Sequence, residues 1–115
     1  MSDKKDKLVV LWTSGNREVA LKMVFMYIIS AKTRLWWEDI TLIVWGPSAK
    51  LLSEDKELQD CIGAIKYSGV ELLACRACAD DYGIVEDLEK LEIKVIYMGE
   101  PLTYYIKDNT KIITF

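Results

Sequence analysis

The chain has 115 residues, 51% of them apolar and 29% charged, and its fifteen basic and eighteen acidic side chains give a net charge of −3. That length holds one packed core and is too short for two, and the composition belongs to a globular chain, not a disordered one. No basic block follows the short "DKKDK" at residues 3–7, so neither the electrostatic footprint of a nucleic-acid binder nor a basic lipid-binding face is present.

The amino end, "MSDKKDK", reads as a charged tail over residues 1–6 and carries no export signal. The expectation is a cytoplasmic chain whose thiols are kept reduced. "KLVVLW" (7–12) is a short Val/Leu run of the kind buried on both faces of a sheet. "TSGN" punctuates it, and 17–34 reads as a helix of about five turns at 3.6 residues each. The apolar run 19–29 inside this helix is broken by Lys22 and falls short of the ~18 residues a membrane span needs. "ITLIVWG" (40–46) is the second strand, ended by Gly46-Pro47. Ser48 is the expected cap of a short helix over 49–53, and Asp55 or Ser53 that of another over 56–68, stopped at Gly69.

The third strand is "VELLAC" (70–75), followed by a helix that Gly83 ends. A helical turn or two over 86–92 leads to a fourth strand, "IKVIYMG" (93–99). A last helix, 100–109, has Pro101 in its first turn, where a missing N–H is harmless. "TKIITF" (110–115) closes as a fifth strand at an edge. Strands alternating with helices imply a single α/β domain, a three-layer sandwich on a mainly parallel five-stranded sheet of flavodoxin-like type with right-handed crossovers. Helix 17–34 is apolar nearly all the way round, with Val19, Leu21, Met23, Val24, Phe25, Met26, Tyr27, Ile28 and Ile29. One stripe suffices to pack on a sheet, so the second face is expected to be covered by another subunit.

Ligands and chemistry in open α/β sheets gather past the carboxyl ends of the strands. Cys75 ends the third strand there, and Cys78 sits in the loop or first helical turn after it. Unpaired N–H groups and the helix dipole favour a thiolate in such a place; Arg76 would help, and Asp80 and Asp81 would oppose. The chain has no histidine, which excludes a Cys–His acyl-transfer dyad and any histidine zinc site. Zinc would require Cys61 to join from a separate helix, so no metal is expected. The pair lacks the aromatic residue that precedes the first cysteine of thioredoxin-type motifs. Two small buried apolar side chains are the competing reading of both cysteines.

"VELLACRACADDYGI" together with "LIVWGPSAKLL" resembles the small DsrE/DsrF-like family of sulfur-relay proteins. The resemblance rests on Trp45-Gly46-Pro47 after an apolar strand and on Ala74-Cys75 with Gly83 eight residues beyond the cysteine. It spans nearly the whole chain. It implies this same parallel α/β fold, assembly as a trimer or hexamer, and a persulfide carried on Cys75 and exchanged with sulfur-donor and acceptor proteins. Cys78 would then resolve the persulfide or form a transient disulfide. This requires the Cys75 sulfur to be reachable from solvent or from a docked neighbour.

Two other stretches border the same end of the sheet. Ser14, Gly15 and Asn16 follow the first strand much as a phosphate loop does, and the competing reading is a tight turn that caps the helix. Trp45 walls the crevice that Cys75 enters, while Trp36 and Trp37 are packing or interface residues. Glu100 is the nearest candidate acid or base, or simply an acid at a helix start. No cofactor is implied. The sequence therefore supports a persulfide carrier using Cys75 and Cys78, with a non-catalytic ligand-binding or assembly module as the alternative.

Overall fold

The computed structural model describes residues 6–115. The tail expected over 1–6 lies outside the described residues except for Asp6, whose carbonyl accepts a hydrogen bond from the Glu38 N–H at 3.1 Å. Five strands form one sheet: β1 Lys7–Trp12, β2 Asp39–Val44, β3 Glu71–Cys75, β4 Lys94–Ile96 and β5 Lys111–Thr114. All pairings are parallel, and the order across the sheet is β4-β3-β2-β1-β5. The expected α/β class, with a parallel five-stranded sheet and β5 at an edge, is the observed one. The order departs from the 2-1-3-4-5 of flavodoxin, because four consecutive strands step one way before the chain returns past β1.

That order decides how the helices are shared out. With right-handed crossovers, steps in one direction put their helices on one face and the return step puts its helix on the other. The first face carries α1 (17–33), α2 (Pro47–Glu54), α3 (Lys56–Tyr67), α4 (Arg76–Tyr82) and α5 (Val85–Lys90); the second carries α6 (Gly99–Lys107) alone. The period-2 alternation of a strand splits each apolar run between the two. Leu8, Val10, Trp12, Leu42, Val44, Leu72, Ala74 and Val95 pack under the five helices. Val9, Ile43, Leu73 and Cys75 pack on the other side with Met98 and Tyr105.

Local chemistry explains the helix ends. Asn16 accepts hydrogen bonds from the Glu18 and Val19 N–H groups at 2.8 and 3.2 Å and so caps α1. Asp55 caps α3 through the Leu58 N–H at 3.1 Å, and Arg17 binds both Asp55 (2.7 Å) and Glu57, tying the start of α1 to the α2–α3 junction. Gly83 ends α4 in the left-handed conformation at φ 70°, as its type suggests. Ser48 is not the cap expected of it. Gly46 takes the position before α2, and the fully buried Ser48 hydroxyl donates to the Trp12 carbonyl at 2.6 Å while accepting from the Trp45 N–H at 3.1 Å. It therefore pins the end of β1 to the end of β2.

α1 is not α-helical throughout. Ala20–Phe25 form a π-helical stretch between α-helical Arg17–Val19 and Met26–Thr33. In the wider i→i+5 turn the sequence neighbours Val24 and Phe25 both enter the core, and Phe25 meets Trp12 edge-on at 5.2 Å. The opposite flank stays uncovered within the chain, with Met23 49%, Met26 54% and Trp36 52% exposed. Among the described residues no helix is long and apolar enough to cross a membrane.

Candidate functional site

Cys75 is the last residue of β3 and the residue before α4, so the strand-to-helix handover expected of it is observed. α4 has only seven residues, and Cys78 lies in its first turn. The strand's alternation turns Cys75 toward the one-helix face, into the cluster that Ile43, Leu73 and Met98 share with it. There it is 4% exposed. The accessibility expected of this sulfur is therefore not met in the single chain: Met98, itself 1% exposed at the entrance to α6, closes the pocket over it.

Cys78 is the half-buried member of the pair. Its thiol hydrogen-bonds Cys75, and the Gly46 N–H donates to its sulfur. Burial pushes the Cys78 thiol above its ordinary range, the bond to Cys75 pushes the same way, and the Gly46 N–H opposes them. The lowering expected from a helix amino end is thus outweighed at Cys78 by desolvation. Arg76 faces Asp80 along the same helix, its Nε 3.7 Å from that carboxylate. Gly46 holds its place at φ 75°, ψ −136°, where a side chain is strained.

Trp45 packs, half-buried, against the same cluster as both thiols. The fold thus brings Cys75, Cys78, Trp45 and Gly46 together. Ser14, Gly15 and Asn16 lie at the same end of the sheet, with Gly15 against Pro47. Their groups are turned to the chain itself: the Ser14 N–H donates to the Phe115 carbonyl, and the Ser14 hydroxyl accepts from the Asn16 N–H. Together with the Asn16 cap this is the tight-turn geometry. Glu100 is exposed in the first turn of α6, and no contact ties it to the sulfurs. Cys61 sits on α3, packed against the five-helix core, where burial and then Glu57 and Asp60 raise its thiol. Among the described residues no group of three or more cysteine, aspartate or glutamate side chains could hold a metal ion.

Sequence reasoning missed Met98, which is buried in the same cluster as Cys75, and Tyr105, which packs into that cluster at the amino ends of the strands. Tyr105 packs into the same cluster, lies under the Lys7 ammonium at 5.1 Å, and has its hydroxyl pushed upward by burial and then by Glu71. Chemically, the arrangement offers two thiols in mutual contact, one inside and one at the surface, with a backbone N–H on the outer sulfur. The Asp81 carboxylate lies near enough for its charge to act on the outer thiol, raising it.

Residues 6–115 match a family model described as the DsrE/DsrF-like family. Among solved structures, a conserved protein of unknown function, BT1422 from Bacteroides thetaiotaomicron, is 37% identical over 100% of this chain and 99% of its own, with a TM-score of 0.97. MTH1491 from Methanobacterium thermoautotrophicum, also of unknown function, is 14% identical over 95% of this chain and 98% of its own, at a TM-score of 0.79. The ychN protein from E. coli is 15% identical over 96% and 99%, at 0.70. The last two share the fold. No curated protein matches the chain.

Proposed function

The chain belongs to the DsrE/DsrF-like family, and from that premise we propose that it is a sulfur-relay protein carrying sulfane sulfur as a persulfide on the Cys75–Cys78 pair. The observation that carries this reading is the contact between the two thiols where β3 hands over to α4, with the Gly46 N–H aimed at the outer sulfur. A donor persulfide transfers its outer sulfur to a cysteine thiol, and a docked acceptor later takes it away. The backbone N–H stabilises charge on the sulfur without any histidine. Work of this kind needs reduced thiols, and a cytoplasmic setting, where thiols are kept reduced, is part of this reading. The test is intact mass with released sulfide after incubation with a persulfide donor: the reading expects sulfur to be taken up, seen either as a gain of about 32 Da or as the sulfide and disulfide left by its discharge, and both signals to be lost when Cys75 and Cys78 are replaced by Ser. An adduct unchanged in that double variant would remove the reading.

Burial of Cys75 supports a second reading, in which the chain is a non-catalytic module that assembles through the uncovered apolar flank of α1. Met23, Met26, Tyr27 and Trp36 border a cleft of about 340 Å³ there, beside Phe115. In this reading the chain is a homo-oligomer, a trimer or hexamer, and both thiols alkylate slowly in it. Light scattering of wild type and of Met26→Glu checks the assembly: a monomeric wild type sinks it. Rapid, selective alkylation of either thiol near neutral pH counts against the non-catalytic part.

A further inference from the structure

We propose that the two thiols have opposite roles, Cys78 receiving the sulfur and Cys75 discharging it as hydrogen sulfide; this rests on the persulfide reading above. The receiving role follows from access. Cys78 is half-buried at the surface, and Cys75 is 4% exposed beneath Met98, so a small persulfide meets Cys78 first. The discharging role follows from what can fit beside Cys75. Ile43 and Leu73, which pack in its cluster, are 0–4% exposed.

A Cys75 persulfide would need space for a further sulfur in that packed hydrocarbon, whereas a bond from Cys75 to the Cys78 sulfur needs none. The two thiols already touch. Residues three apart at a helix start have Cα atoms about 5 Å apart, inside the disulfide range of about 4.4–6.8 Å.

The step balances. Cys78 first takes the outer sulfur of a low-molecular-weight persulfide and leaves the donor as a thiol. The Cys75 thiol then attacks the inner sulfur of the Cys78 persulfide. A Cys75–Cys78 bond forms, the bond from Cys78 to the terminal sulfur breaks, and that sulfur departs with the Cys75 proton as hydrogen sulfide. The sulfane sulfur is reduced by two electrons and the dithiol is oxidised by two. A second dithiol, taken from the reducing pool, resets the pair. The substrate class is therefore small persulfides, and the sequestered thiol protects the relay from holding sulfur indefinitely when no acceptor is docked.

The experiment uses the full chain in a Cys61→Ser background, pre-reduced, freed of reductant and mixed with glutathione persulfide, reading released sulfide and intact mass together. Wild type is expected to release one equivalent of sulfide and lose two hydrogens, about 2 Da, with the disulfide mapped to Cys75 and Cys78. Cys75→Ala, checked for native circular dichroism, is expected to keep the sulfur on Cys78 and release sulfide at least about tenfold more slowly. Cys78→Ser is expected to do neither. Should Cys75→Ala fail to fold, the wild-type disulfide and sulfide yield decide alone. A stable sulfur adduct on wild type without sulfide overturns the discharge step and leaves the carrier reading standing. An adduct on Cys78→Ser at the wild-type rate overturns the receiving role. No adduct and no sulfide in any form removes the carrier reading with it.

Discussion

Under the five helices Val10, Leu42 and Val44 are fully buried, while on the one-helix face Leu11, Ile96 and Ile112 of the same sheet keep contact with solvent. The difference continues into the covering layer. α1–α5 each bury residues completely, whereas neither α6 nor β5 buries any. One face therefore carries the packing energy, and the other is a thin roof over a thiol. Stability and chemistry are divided across the thickness of a single sheet, so the way to Cys75 leads past Met98 on the one-helix face and not through the five-helix core.

The largest effect that would break this contrast is a core deletion. Leu42→Ala is expected to cost about 3 kcal/mol in urea unfolding, and Ile112→Ala, half-buried on the other side, about 1 kcal/mol or less. Equal losses would show that the two faces share the load. Next, Met98→Ala is expected to cost about 2 kcal/mol and to speed iodoacetamide labelling of Cys75 by at least about tenfold, with the labelled site read by peptide mass. An unchanged rate would mean that Met98 is no roof. Smaller is the loss of the α1 cap: Asn16→Ala is expected to lower stability by about 1 kcal/mol without altering thiol labelling.

The smallest effect is set by pH. Cys61, Cys78 and Tyr105 all have their proton held more tightly in the folded chain than in the unfolded one. Below the unfolded pKa values their stabilisation is complete, and it is lost as pH rises through the raised folded values. Urea midpoints are therefore expected to fall from about pH 7 toward pH 10, and Cys78→Ser to flatten part of that slope. A midpoint that climbs over this interval would contradict the burial of these groups.

Much of this was legible locally. "KLVVLW" and "ITLIVWG" lack polar alternation because strands inside a parallel sheet meet apolar layers on both sides, and Gly83 announced its left-handed helix stop. Strand order was not legible, since nothing local tells β4 from β5 as the neighbour of β1. Without the order, neither the five-to-one sharing of helices nor the direction of Cys75 can be read. The π-helical stretch left no trace for a related reason: in "ALKMVF" apolar residues occupy every side but one, so a slip of one residue moves no polar group into the core. Ser48 was misassigned because its partner, the Trp12 carbonyl, comes from 36 residues away. The cover over Cys75 is equally non-local, as Met98 belongs to a segment well downstream of the cysteine it packs with.

The seam between β1 and β5 has a consequence for how the chain assembles. Thr13 donates to the Phe115 carbonyl through both its N–H (2.7 Å) and its hydroxyl, across 102 residues of sequence. During synthesis β1 to β4 can zip up in order, each meeting the strand made just before it, while the far edge of β1 waits unpaired for β5. Contacts of such long range are slow to form, and an unsatisfied strand edge invites pairing with another nascent chain. Until β5 docks, the β1 rim from Leu8 to Leu11 has no partner, and pairing with Lys111–Thr114 is what covers it.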